Sequence, residues 1–259
     1  MATFLFDKII FGPVASRRLG LSLGVNLLPV DTKVCSFDCI YCECGWTPRK
    51  YGKKVILPGR REVQAKLHEK LKEMAGNGQL PDVITFAGNG EPTLHPEFAA
   101  IIDDTIELRS QLAPNARIAV LSNATMLHKD AVFNALLKVD DNIQKLDSAF
   151  SETIKILDCP RVPFELATIV EQLKNFNGKV TIQTLFVKGI FNGEIVDNTT
   201  ESELDAWIAL LKKIRPAQVM IYTIARDTPL KTLERIPLTK LKSIATRVEN
   251  AGIATQVSA

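Results

Sequence analysis

Three cysteines carry the first chemical signal. Cys35, Cys39 and Cys42 lie in the run KVCSFDCIYCECGW, spaced Cys-x3-Cys-x2-Cys. Four of the chain's five cysteines fall within ten residues, and the fifth, Cys159, stands alone before Pro160. A secreted disulfide framework spreads its cysteines along the chain and is usually even in number. A metal site in a reducing compartment accounts for the grouping better. Three thiolates on one short loop can hold three irons of a 4Fe–4S cluster and leave the fourth iron open to another ligand. The alternative is zinc, with Cys44 as a fourth thiolate, although Cys42-x-Cys44 is a tight spacing for two ligands of one ion. Cys44 otherwise reads as a spare thiol near the cluster or a substrate-side residue. Cys159 reads as a buried small hydrophobe.

A second group of residues follows an apolar run at 83–87, in FAGNGEPTLHP. Gly88 and Gly90 let the backbone approach a ligand closely, and Glu91 offers charge to an ammonium group. His95 reads as structural. Polar residues recur after later apolar runs: Ser122 and Asn123, Lys145 and Asp147, Gln183, then Tyr222 and Arg226 on either side of Ile224. Ordinary strand-end polarity explains any one of them; their recurrence is the signal.

The elements that must position these residues are legible as alternating strands and helices. Runs at 21–28, 83–87, 118–122, 143–146, 180–186 and 219–224 are short and rich in Val, Ile, Leu or Phe, as buried parallel strands are. Residues 62–75 carry Leu67, Leu71 and Met74 at helical spacing. Residues 96–112 open on Pro96, a good first-turn residue. Thr200 and Glu203 match a capping box, followed by a stripe of Leu204, Trp207, Ile208, Leu211 and Ile214 that reads as core packing. A last helix spans 239–250, with Gly252 as its stop. Repeated strand–helix units imply a parallel sheet with right-handed crossovers. About six such units make an incomplete (β/α)6 barrel or an open doubly wound sheet. In either, ligands gather at the carboxyl ends of the strands.

The chain's 259 residues suit a single domain over 1–259, with a core at about 10–229 and a C-terminal helix and tail at 230–259. The formal net charge of +3 does not demand a nucleic-acid partner. Residues 47–61 nevertheless hold Arg49, Lys50, Lys53, Lys54, Arg60 and Arg61 with no acidic residue among them. That stretch is either a solvated loop or a landing strip for a phosphate-bearing substrate. No apolar run reaches membrane-span length, and residues 1–10 lack the features of a signal peptide. A cytoplasmic location is the expectation.

The cysteine spacing, with the aromatic Tyr41 immediately before Cys42, resembles the signature of the radical S-adenosylmethionine (SAM) superfamily. The resemblance implies a barrel-type fold with the cluster loop after the first strand. It also implies one 4Fe–4S cluster on Cys35, Cys39 and Cys42, SAM as cosubstrate, and reductive cleavage of SAM to a 5′-deoxyadenosyl radical that abstracts hydrogen. By the same resemblance Tyr41 packs near the adenine. Gly88, Asn89, Gly90 and Glu91 receive the amino group of SAM, with Asn89 where the short form of the motif has glycine. Ser122, Asn123, Lys145, Asp147 and Gln183 face SAM, and Tyr222, Ile224 and Arg226 cradle adenine. Ala124 stands where relatives have glycine.

The N-terminal run FGPVASRRLGLSLGVNLLP, with GNGEPTLHP and IYTIARDTP, is similar to the wyosine-synthetase-like branch over about residues 10–229. Wyosine synthetases bind a second cluster through upstream cysteines, and none precedes Cys35 here. No lysine matches their pyruvate-binding residue. Arg17 and Arg18, together with Arg49 and Lys50, are the candidate substrate contacts. The resemblance further implies a reducing partner such as a flavodoxin or ferredoxin, and admits a tRNA base or another phosphate-bearing molecule as substrate. Two other readings stand beside it: a glycyl-radical-enzyme activase, and a non-enzymatic metal-bearing RNA-binding module.

Overall fold

The computed structural model describes residues 4–52 and 54–259. Lys53 of the basic stretch and residues 1–3 of the N-terminal reading lie outside the described residues.

The chain opens with an antiparallel pair, β1 (Ile10–Ser16) and β2 (Gly20–Val25). Strands then alternate with helices: α1 (Arg60–Gly76), β3 (Val83–Phe86), α2 (Phe98–Leu112), β4 (Arg117–Ser122), α3 (Asp130–Leu136), β5 (Asp141–Lys145), α4 (Ser151–Leu157), α5 (Leu166–Lys174) and β6 (Thr181–Leu185). A hairpin of β7 (Val187–Phe191) and β8 (Glu194–Asp197) interrupts the pattern. It resumes with α6 (Glu201–Ile214), β9 (Gln218–Tyr222), the short β10 (Glu234–Arg235), α7 (Leu238–Asn250) and β11 (Ala254–Ser258). Eight strands form one sheet in the order β1-β2-β3-β4-β5-β6-β9-β11, parallel from β2 onward. It curls into a half-barrel, the incomplete barrel that the strand–helix alternation allows and the family resemblance implies. A separate three-stranded sheet, β10-β7-β8, is antiparallel.

All six expected strands form. Those not anticipated have physical reasons for being hidden. β1 contains Gly12 and Pro13 and breaks register between Phe11 and Val14. β11 reads ATQVS and is half polar because it lies at a sheet edge. The C-terminal tail is therefore part of the sheet. Pro96 precedes α2 rather than opening it, since the helix begins at Phe98.

Period-two alternation assigns the faces of the strands. One face packs on the helices through Ile84, Phe86, Ile118, Val120, Ile182, Val219 and Ile221. The concave face starts apolar at its base, where Leu19, Val83, Ala119, Ile143 and Met220 cluster. Two residues further along, the same face turns polar: Thr85 on β3, Lys145 on β5, Gln183 on β6 and Tyr222 on β9. The carboxyl ends of the strands thus present a polar mouth above an apolar floor.

The expected stripe on α6 is buried, and Trp207 also donates its indole N–H to the Leu146 carbonyl at 3.2 Å. Its capping box is only half made. Thr200 Oγ1 accepts from the Glu203 N–H at 3.3 Å, but the Glu203 carboxylate instead accepts from Ser148 (2.6 Å) and Thr153 (2.5 Å). Thr200→Ala removes one N-cap acceptor, so a loss of about 1 kcal/mol in urea unfolding is expected. No described helix is long and apolar enough to cross a membrane.

Candidate cluster and cofactor site

The loop that follows β2 carries Cys35, Cys39 and Cys42, and three distant segments clamp it to the strand ends. The first is residues 88–91. Val34 N–H donates to the Asn89 carbonyl (2.9 Å) and Glu91 N–H donates to the Val34 carbonyl (3.1 Å), a parallel bridge between Val34 and Gly90. The second is residues 123–125: Asn123 Nδ2 donates to Ser36 Oγ at 2.9 Å and lies 3.7 Å from Cys35 Sγ. The third follows α4. Asp38 N–H donates to the Asp158 carbonyl (2.9 Å), Ile40 N–H to the Leu157 carbonyl (3.0 Å), and Phe37 bridges Pro160.

Gly88 and Gly90 allow close approach, and other parts of the chain use it. A Cβ on Gly90 (φ +137°) would lie 1.8 Å from the Val34 carbonyl oxygen, and one on Gly88 (φ +156°) 2.4 Å from Asn26 Oδ1. The Asn89 side chain is a staple. It donates to the Phe6 and Pro29 carbonyls (2.9 and 2.8 Å) and accepts from Phe6 N–H at 2.8 Å, tying the N-terminal segment to the sheet. The buried Glu91 carboxylate accepts from Thr93 N–H (3.0 Å), Thr93 Oγ1 (2.5 Å), Asn123 N–H (2.6 Å) and the Ser122 hydroxyl. Burial pushes its pKa up, and those four donors oppose the shift. They fill the roughly four acceptor sites of a carboxylate, so Glu91 braces the loop ends against each other.

Two charged residues not singled out by the sequence complete the loop. Lys33 is 2% exposed. Its ammonium donates to the Gly45 carbonyl at 2.8 Å, stands 3.6 Å from Asp38 and hydrogen-bonds Cys42. Burial opposes its charge, but Cys42, Cys35, Cys39 and Asp38 outweigh that and raise its pKa. Asp158 meets Lys145 and Tyr41. Lys145 pairs with Asp147 at 2.6 Å and with Asp158 at 3.4 Å, and Tyr41 donates its hydroxyl to Asp147 and to Asp158 (3.0 Å). Burial would lower the Lys145 pKa, and the two carboxylates raise it instead, so it stays an ammonium. Tyr41, the residue expected near adenine, is buried with Phe37, Ile40 and Leu157, and its hydroxyl joins this knot. Position two before a cysteine is a weak signal that could have pointed to Lys33. Asp158 had none, because its role exists only once α4 packs on the loop.

The thiols differ in readiness. Burial pushes Cys35 up to about 12 and raises Cys39 as well. Cys42 is lowered to about 6, first by a hydrogen bond from Cys44 and then by Lys33, against burial. Cys44 lies 3.5 Å from the Gly88 carbonyl, and Cys159 donates to the Ile156 carbonyl at 3.2 Å. Among the described residues no three His, Cys, Asp or Glu side chains gather as a single-ion site. The donor set suits a cluster, in which each thiolate takes a different iron. Three thiols share one loop, and a buried ammonium offsets the negative charge that thiolates and sulfides bring.

The remaining expected residues divide between mouth and surface. Arg18 joins the mouth: it donates to Gln183 Oε1 at 3.2 Å and lies 4.6 Å over the Tyr222 ring. The Ile224 carbonyl accepts from Arg235 at 2.7 Å. Arg226 is exposed and pairs with Glu43 at 2.7 Å. Arg17 donates to the Ala259 carbonyl at 3.1 Å. Arg49 and Lys50 are exposed on the outer side of the cysteine loop, and Lys50 lines a groove that no strand-end residue borders.

Comparison with known proteins gives the arrangement a context. The family model described as the Radical SAM superfamily matches residues 30–201. The chain is 32% identical over 228 residues to a GTPase Obg of Brachyspira hyodysenteriae, covering 86% of this chain and 31% of that protein. It is 30% identical to a UPF0026 protein of Synechocystis sp., covering 86% of this chain and 77% of the relative. The chain thus spans about a third of the first relative and most of the second. Among solved structures it is similar to a radical SAM methyltransferase from Sphaerobacter thermophilus (TM-score 0.67, 14% identity, 92% of this chain and 65% of that one). It is also similar to archaeal TYW1 (TM-score 0.53, 12% identity, 89% and 72%). At these identities the structural likeness is one of fold.

Proposed function

The chain belongs to the radical SAM superfamily and groups with its UPF0026 relatives, and from that premise we propose that it cleaves SAM reductively to methionine and a 5′-deoxyadenosyl radical, which takes hydrogen from a substrate. Membership sets aside the reading as a non-enzymatic RNA-binding module. One observation carries the proposal: three thiols, with a buried ammonium among them, on a loop clamped at the carboxyl ends of the strands.

Cys35, Cys39 and Cys42 would hold the cluster. When bound, the cluster and SAM together supply a one-electron route to a carbon-centred radical. The chain's own residues bind, orient and enclose. Residues 88–91, 123–125 and 157–161 fix where the loop sits. The Lys145–Asp147–Asp158–Tyr41 knot holds the wall of the mouth rigid and keeps fixed charge facing it. Gln183, Arg18 and Tyr222 offer an amide, a guanidinium and a ring to the bound nucleoside. The apolar layer of Val83, Ala119, Ile143 and Met220 closes the floor against water. We place the enzyme in the cytoplasm, where such thiols stay reduced. Its substrate is a nucleic-acid base or another phosphate-bearing molecule, with Arg18 at the mouth and Arg17 on the exposed surface next to it in the chain as its candidate contacts. The N-terminal resemblance to wyosine-type proteins and this arginine pair favour that class.

The test is anaerobic reconstitution with iron and sulfide. Wild-type protein is expected to take up about four irons and, with SAM and dithionite, to form 5′-deoxyadenosine. Alanine at any one of Cys35, Cys39 or Cys42 should reduce that product to background. A triple variant that still formed it would refute the assignment.

A further inference from the structure

We infer that the groove on the outer side of the cysteine loop is the docking surface for a small acidic one-electron carrier protein of the flavodoxin or ferredoxin kind. The inference rests on the proposed reaction, which consumes one electron per SAM cleaved: the sulfonium accepts it, the carbon–sulfur bond breaks, and methionine and the radical are released.

Three observations select this occupant. The first is charge. Residues 47–61 contain no Asp or Glu. Arg49, Lys50 and Lys54 are exposed and form no ion pair with any described residue. Asp31, the acid in the groove lining, is itself engaged. Such a patch steers an acidic partner and speeds its encounter. The second is apolar surface among the charges. Val30, Tyr51 and Ile56 line the same groove, exposed at 40, 38 and 74%, an apolar centre with a charged rim as protein interfaces have.

The third is proximity to the thiols with separation from the mouth. Tyr51 donates its hydroxyl to the Lys33 carbonyl at 3.2 Å, two residues before Cys35. Thr47 N–H donates to Asp38 Oδ1 at 2.7 Å, and Arg161 bonds the Thr47 and Pro48 carbonyls at 2.9 and 3.1 Å. The start of the strip is thus fastened to the loop that carries the cysteines. Yet Glu91, Asn123, Lys145, Gln183 and Tyr222 are all absent from its lining. A substrate must reach the mouth to meet a radical, whereas a carrier needs only to seat its redox group near the cluster. The strip fits the second requirement, and Arg49 and Lys50 are reassigned from substrate to carrier.

The experiment measures binding of a purified acidic flavodoxin, and separately of a ferredoxin, to the reconstituted holoenzyme over a range of salt concentration. The variant Arg49→Glu/Lys50→Glu/Lys54→Glu is compared with wild type. At least tenfold weaker binding and a flatter salt dependence are expected for the variant. Bleaching of the visible cluster absorbance by the reduced carrier should slow to match, while bleaching by dithionite keeps its wild-type rate. Equal carrier binding by the variant, or no binding of either carrier to wild type, overturns the inference. So does a variant that loses affinity for a tRNA pool while keeping the carrier. Failure of the proposed reaction itself reads out elsewhere, as a protein that takes up no iron or forms no 5′-deoxyadenosine with dithionite.

Discussion

Gly90→Ala is expected to lower the melting temperature by about 10 °C and to cost the protein most of its capacity for iron. The new Cβ would lie 1.8 Å from the Val34 carbonyl oxygen and 2.5 Å from its carbon. Both are backbone atoms, in the segment that leads into Cys35, so no side chain can swing aside. Overpacking of this kind costs about 1–3 kcal/mol, and holding a non-glycine residue at a positive φ about 1–3 more. A combined loss of about 4 kcal/mol corresponds to about 10 °C for a domain of this size. The protein can escape part of the penalty by breaking the Val34–Gly90 bridge, and that displaces the cysteine loop. Gly252→Ala separates the two contributions. Gly252 also has a positive φ, +82°, but nothing lies within 4 Å of its Cβ position. It should lose about 1 kcal/mol and keep its full iron content. Thermal melts and iron assays on the two variants decide the matter. Normal iron uptake by Gly90→Ala would show that the bridge does not position the loop.

Lys33→Met is expected to shift the cluster's reduction potential in the negative direction and to weaken cluster assembly. Methionine roughly keeps length and apolar volume while removing the buried charge. A unit charge several ångströms away, at an effective dielectric near 20, is worth about 2–4 kcal/mol. For a one-electron couple that is on the order of 100 mV. The sign follows from charge: the reduced cluster is the more negative, so the ammonium favours reduction. Lys33→Arg keeps the charge and should move the potential far less, although its larger fork must fit a buried site. Potentiometric titration followed by electron paramagnetic resonance supplies the readout. Equal potentials in wild type and Lys33→Met would remove Lys33 from the electrostatics of the site.

The sheet was legible where the chain is apolar on both faces. Ile84, Ile118 and Val219 sit in runs that buried parallel strands explain, whereas Ile143 and Ile182 are flanked by polar neighbours. It was illegible where an element owes its existence to a neighbour. Thr255 and Gln256 become strand residues because β9 offers an open edge, and β10 because β7 does. The site divides in the same way. Cysteine spacing is local, so Cys35, Cys39 and Cys42 could be read directly. The roles of Gly90, Asn89 and Glu91 are set by what packs against them, and sequence alone pointed those residues toward a ligand. The fold adds contacts within the chain that the sequence did not announce: Gly90 to Val34, Asn89 to Phe6 and Glu91 to Asn123.

The clamping of the cysteine loop also bears on how the protein is made. The loop leaves the ribosome early, but its backbone partners arrive in stages: residues 88–91 first, Asn123 later, and Leu157, Asp158 and Pro160 last. At about 5–20 residues per second, the interval between the first cysteine and the last clamp is on the order of ten seconds. Throughout it the thiols ride on an unfixed segment, open to oxygen and to stray metal ions. Maturation should therefore be most vulnerable during translation. Slowing synthesis between codons 42 and 160 under aerobic growth should lower the fraction of chains that can be loaded with iron, without altering a single residue.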